Sequence, residues 1–249
     1  MEAAIFAKMF IMHSIKPKKA LLFLLSCIGL LLILHIASYI NFYVNDLEVK
    51  EFFFRKLNLS SERNVPSIFS SFILFIASIL LFSIAFSQLK ISNNKTLWIF
   101  LGILFLFLSL DELLRIHEKI GRWVNKSIET TGIFHYAWVI PYGICLLILS
   151  IACFKPLMQL PKETLRNFII SGVIFVSGAL GLEMLAGWYI ENVADWYISN
   201  ELITGKILHR SIPVFIMYTL EELLEMLGVT YFIYSILKFR NKYVILKSD

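Results

Sequence analysis

Six separate runs of about twenty mostly apolar residues dominate the chain: Ala20–Asn41, Pro66–Ser87, Thr96–Arg115, Phe134–Phe154, Asn167–Ile190 and Ser211–Leu237. Wound as a helix, such a run spans the hydrocarbon of a bilayer with all its backbone hydrogen bonds made internally. The expected fold is therefore all-α: a polytopic integral membrane bundle of six transmembrane helices, one membrane domain over residues 1–249. Composition agrees, with 58% hydrophobic and 16% charged residues, where a soluble domain carries about a quarter charged. One soluble core could not hide this much apolar surface. A soluble enzyme, a disordered tail and a disulfide scaffold are excluded. Cys27, Cys145 and Cys153 lie inside apolar runs without metal or redox spacing, and read as packing residues. Pro66 suits a first helical turn. The run after Lys16-Pro17-Lys18-Lys19 is too long for a signal peptide and reads as a retained anchor.

Orientation follows from the basic residues. With the first segment inside, the inner segments (1–19, 88–95, 155–166 and 238–249) hold 13 Lys and Arg against 3 acids. The outer segments hold 10 against 9 over a longer stretch of chain. Both termini are thus expected in the cytoplasm, with the protein in the plasma (inner) membrane. On this reading the net charge of +5 is a topology signal. No basic surface with interleaved aromatics points to nucleic acid. The expected partners are the lipid bilayer and a second copy or another membrane helix. In the outer segments, Val44–Leu57 has the composition of a short interfacial helix, and Trp188, Tyr189, Trp196 and Tyr197 resemble an aromatic belt. Asn58-Leu-Ser60 and Asn125-Lys-Ser127 match a glycosylation triplet that often arises by chance.

The remaining six acids lie inside the spanning runs: Asp111 and Glu112 in the third, Glu183 in the fifth, Glu221, Glu222 and Glu225 in the sixth. Each costs on the order of 2.5 kcal/mol or more at that depth unless paired, hydrated or protonated. At 100° per residue the three glutamates of the sixth run share one face, as do Asp111, Glu112 and Arg115 of the third, with Glu118 near the Asp111 side. Small residues around Glu183, in Gly178-Ala-Leu-Gly-Leu-Glu-Met-Leu-Ala-Gly187, would let a neighbouring helix approach closely. The 1.5 Å rise puts Asp111 and Glu183 near the outer boundary and Glu225 about 20 Å below it. Leu110-Asp-Glu-Leu-Leu114 also echoes Leu220-Glu-Glu-Leu-Leu224 at an offset of 110 residues. That is the mark of a weak 3+3 inverted repeat, or of chance.

Such a ladder of carboxylates is suited to holding and passing protons or cations, because burial and mutual repulsion prevent all from being ionised together. Glu221, Glu222, Glu225 and Glu183 are the expected carriers or ligands, Asp111 and Glu112 the outer mouth, and Arg115 the group that tunes its charge. The alternative is a metal-dependent membrane enzyme acting on a lipid or other apolar substrate, with a metal ion as cofactor and His35, His117 or His135 completing its shell. The chain has no Glu-x-x-His unit, HxxxH box, Walker A loop or Gly-x-Ser-x-Gly elbow. A sensor or assembly subunit whose acids meet a partner helix is the third reading. In the plainer readings, Asp111–Arg115 is a structural ion pair, Glu112, His117 and Glu118 are wet at the interface, and His35 is a packing residue.

Overall fold

A computed structural model describes residues 15–47, 51–61, 63–87, 95–194 and 211–245. Among these, all regular structure is helical. Trp196, Tyr197 and the basic residues before Ile15 lie outside them. The elements are α1 (Pro17–Val44), α2 (Phe52–Leu57), α3 (Val65–Ala85), α4 (Lys95–Leu114), α5 (Ile116–Ser127) and α6 (Val139–Met158), with α6 preceded by a single 3₁₀ turn. Next comes α7, which runs over Lys162–Val176, widens into π geometry at Ser177–Leu182, resumes at Glu183–Tyr189 and widens again at Ile190–Ala194. The last is α8 (Ile212–Arg240). Five stretches are long and apolar enough to cross a membrane: α1, α3, α4, α6 and α7. The sixth expected span, α8, has the length but not the apolarity, because Glu221, Glu222, Glu225, Lys238 and Arg240 interrupt it.

Local chemistry accounts for the helix ends. Pro17 opens α1. The Asn64 side chain accepts from the Ser67 N–H while the Asn64 N–H donates to Ser67 Oγ, a reciprocal cap with Pro66 in the first turn as expected. Asn58 is buried, and its amide oxygen accepts from the backbone N–H and hydroxyl of Ser60. The Asn58 triplet is therefore a turn device rather than an open acceptor. Of the interfacial segment expected over 44–57, Val44 ends α1 and the six residues of α2 are helical among those described.

The centre of the bundle is α8, packed against α7, α3 and α1. Its second half (Met226, Val229, Ile233, Ile236) joins Leu24, Ile28, Ile73, Leu81 and Trp98 in one apolar core. The Phe105 and Phe232 rings stack across it at 4.5 Å. Helices α3 and α4 pair closely through small polar residues: Ser71 donates to the Ser109 carbonyl at 2.8 Å and Ser109 returns the bond at 2.8 Å. At the opposite end from the loop that joins α1 to α3, Asn241 donates to the Ile15 carbonyl at 2.9 Å, so the start of α1 and the end of α8 meet. The helix least buried in the bundle is α6, with Ile144, Leu147, Ile148 and Ile151 all exposed.

Both copies of the echo at an offset of 110 residues lie in α-helix, at different places along it. Asp111 stands in the last turn of α4, whereas Glu221 lies inside an unbroken α8. Close packing depends instead on glycines. A Cβ on Gly228 would stand 2.8 Å from the Phe175 backbone nitrogen, whereas one on Gly29 would meet nothing within 4 Å. Gly228→Ala should therefore cost about 1–3 kcal/mol through overpacking. Gly29→Ala should be neutral or stabilising by about 0.5–1 kcal/mol. Thermal unfolding of the two variants in detergent checks the contrast.

Candidate functional site

Helix α4 stops because Arg115 adopts a left-handed conformation, with φ +58°, at a cost of roughly 1–2 kcal/mol. Asp111 bridges the break. Its backbone carbonyl accepts the Arg115 N–H at 2.7 Å, and its Oδ1 accepts the His117 N–H at 2.7 Å, capping the start of α5. The same oxygen lies 3.2 Å from His117 Nδ1, and Tyr142 of α6 donates to Oδ2 at 2.9 Å. Asp111 is thus buried with three partners. Burial alone would lower the His117 imidazole. The hydrogen bond and charge of Asp111, with Glu112 and Glu225 nearby, outweigh it and hold the imidazole above its ordinary 6.5.

Opposite stand α7 and α8. The π turn at Ser177–Leu182 inserts an extra residue into the helical repeat, which turns the following side chains by about 100°, and Glu183 is the first residue after it. Gly178, within that turn, lets α7 lie directly on α8: a Cβ there would come 2.7 Å from the Glu221 carbonyl oxygen. The Glu183 and Glu221 carboxyls consequently lie within electrostatic reach of each other. Glu221 Oε2 is buried and receives no N–H or O–H donor. Glu222 and Glu225 lie within electrostatic reach of Glu112, Glu183 and His117.

The connection between α5 and α6 lies against one end of this cluster. Trp138 Nε1 donates to Glu183 Oε1 at 3.1 Å. The Tyr136 and Tyr218 hydroxyls bond to each other. Gly187 admits the connection against α7, since a Cβ there would stand 2.8 Å from His135 Cβ. Glu191 then accepts the Gly132 backbone N–H and lies 4.0 Å from His135 Nδ1.

The structure therefore brings together Asp111, Glu112, His117, Glu183, Glu221, Glu222 and Glu225, with His135 at the rim. Three expected supporters stand apart. His35 is fully engaged as a packing residue, with Nε2 2.9 Å from Thr219 Oγ1 and Nδ1 accepting the Leu59 N–H at 3.1 Å. Glu118 pairs with Arg115 and Arg122 at the rim of α5. Burial would raise its carboxyl, but those guanidinium bonds prevail and hold it below the usual range. Arg115, expected to continue the helix and sit one turn from Asp111, is displaced by the left-handed break and faces Glu118. Among the described residues, no three His, Cys, Asp or Glu side chains are arranged to hold a metal ion. Sequence reasoning missed Tyr136, Trp138, Tyr142 and Tyr218. In a chain with 22 Phe, 10 Tyr and 5 Trp, nothing in their spacing separates them from belt or core aromatics.

A raised imidazole contributes stability that is complete below pH 6.5 and is lost as pH climbs through the raised value. Asp111→Asn removes the charge that raises it. The variant should be about 1–3 kcal/mol less stable below pH 6.5, the gap narrowing above the native midpoint. The His117 midpoint, read by NMR of ring-labelled histidine in detergent, should fall.

Residues 17–238 match a family described as Domain of unknown function (DUF8692). No curated protein and no solved structure matches the chain. The matched stretch takes in all six acids, His117 and the aromatic donors around them. The chain belongs to the DUF8692 family.

Proposed function

We propose that the cluster is a proton well in the outer half of a membrane bundle, which takes up and releases protons, or the cations that replace them, in the manner of a transporter's binding site. Glu183, Glu221, Glu222 and Glu225 are its carriers, and Glu112 and Asp111 with His117 form its second wall. The observation that carries this reading is the Glu183–Glu221 pair. Two buried carboxyls this near each other cannot both stay ionised, so a proton stays with the pair, and Glu221 Oε2 is buried with no hydrogen-bond partner. The further carboxyls at Glu222 and Glu225 give that proton places to move within one helical face, at steps of about 5 Å.

The inner side is closed. Below Glu225 come Met226, Val229 and the stacked Phe232 of the apolar core, and Gly228 locks α8 onto Phe175. A well covered by the α5–α6 connection at one end and sealed by the apolar core at the other corresponds to an occluded state of a carrier that alternates its access. The basic-residue count supports a reading in which the end under the α5–α6 connection faces outside.

Protein reconstituted in liposomes is given an outside pH jump, and proton uptake is followed with a trapped and an external pH dye. Wild type should take up protons, and Glu221→Gln or Glu183→Gln should reduce the uptake about 100-fold. Asn45→Ala, a change at an exposed side chain bonded to Asn41, should leave it unchanged. Uptake that survives both glutamine variants would overturn the proposal. So would stoichiometric iron, zinc or manganese that is lost in Glu222→Gln, because metal chemistry would then be the better account.

A further inference from the structure

The proton well leaves its own entrance unassigned, and the aromatic groups over it supply one. The segment from Ile128 to Trp138 is pinned to three helices. Trp138 lies against Gly121 of α5, where a Cβ would come 3.3 Å from its backbone nitrogen. His135 and Tyr136 lie on Gly187 of α7, and Glu191 holds the Gly132 N–H. Tyr136 then reaches the Tyr218 hydroxyl on α8. Tyr218 stands three and four residues before Glu221 and Glu222, one turn above them on the same face. Both phenols are within electrostatic reach of Glu183 and Glu221.

A hydroxyl pair uses one of its two protons for the internal bond and leaves the other free. When Tyr136 donates to Tyr218, the Tyr218 proton is free to point at the carboxyls below. When the bond reverses, the Tyr136 proton points outward. Such a pair conducts protons and excludes any ion that needs an open passage.

Resting on the proposed proton well, we infer that the Tyr136–Tyr218 hydroxyl pair is its entrance and makes it selective for protons over metal cations. In the inward step, an outside hydronium ion donates a proton to Tyr136 Oη and leaves as water. The original Tyr136 proton passes to Tyr218 Oη, and the Tyr218 proton passes, directly or through one water, to the Glu221 or Glu183 carboxylate. At each phenol oxygen one O–H bond forms and one breaks, and the net change is one protonated carboxyl. The titratable groups facing the pair are Glu183 and Glu221, with His135 and Glu191 at the outer rim and His117 behind Trp138.

Stopped-flow pH jumps on detergent-solubilised full chain separate the rate of uptake from the number of protons bound at equilibrium. Tyr136→Phe should slow uptake about tenfold or more with the bound number unchanged. Tyr218→Phe should do the same, and the double variant should be no slower than the slower single one, because the two act as a unit. Either single variant at wild-type rate overturns the inference. A bound number that falls with the rate also overturns it, since the tyrosines would then be holding the carboxyls in place structurally. Tyr136→Phe, in a connecting segment, keeps the test open if Tyr218→Phe fails to fold. Absence of any uptake by the wild type overturns the proton well itself, which separates that failure from failure of the entrance.

Discussion

A carboxyl at membrane depth must find a donor, a counter-charge, water or a proton, and the architecture around α8 follows from that demand. Three glutamates within five residues of one helix cannot all be exposed to lipid, nor can they be satisfied by their own backbone. The neighbouring helices turn polar groups toward them. The break at Arg115 brings His117 back under α4, and the π turn before Glu183 rotates that residue onto α8. The α5–α6 connection presents the Trp138 indole N–H to Glu183 and the Tyr136 hydroxyl to Tyr218 of α8. These irregularities all carry a local cost, and each delivers a group that the carboxyls need.

The two walls of the cluster do different work. Asp111 is saturated by the His117 backbone, the His117 ring and Tyr142, so it acts mainly as a rigid bracket between α4, α5 and α6. Glu221 is the opposite case, with a buried oxygen that has no hydrogen-bond partner and other carboxyls within electrostatic reach. Rigidity on one side and an unmet acceptor on the other are what a site needs to bind something exchangeable without reorganising. The rest of α8 runs on into the apolar core. The same helix is polar where it faces Glu183 and tightly packed where it faces Phe105, Phe175 and Trp98.

Much of this was legible in the sequence for simple reasons. Pro66 and Pro17 open helices because a missing N–H costs nothing in a first turn. Glu221, Glu222 and Glu225 share a face because the 3.6-residue repeat leaves no alternative in an unbroken helix. Gly178 beside Glu183 advertised a close helix approach, and it touches Glu221. Other readings turned on events that no periodicity reports. The expected pairing of Arg115 with Asp111 assumed a continuous helix, and one left-handed residue redirected it to Glu118. His35 had the depth of a ligand, yet Thr219 and the Leu59 N–H occupy both its nitrogens.

The sequence by itself determined the solvent this chain is built for, the positions of its apolar helices and the six acids that interrupt them. Those properties depend on composition and on spacing along one helix, which covalent geometry alone transmits. Only the tertiary structure decided which acids meet and which donors answer them. Tyr136, Trp138, Tyr142 and Tyr218 come from three separate places in the chain. Their roles arise from how helices cross, bend and widen, and no local pattern encodes that.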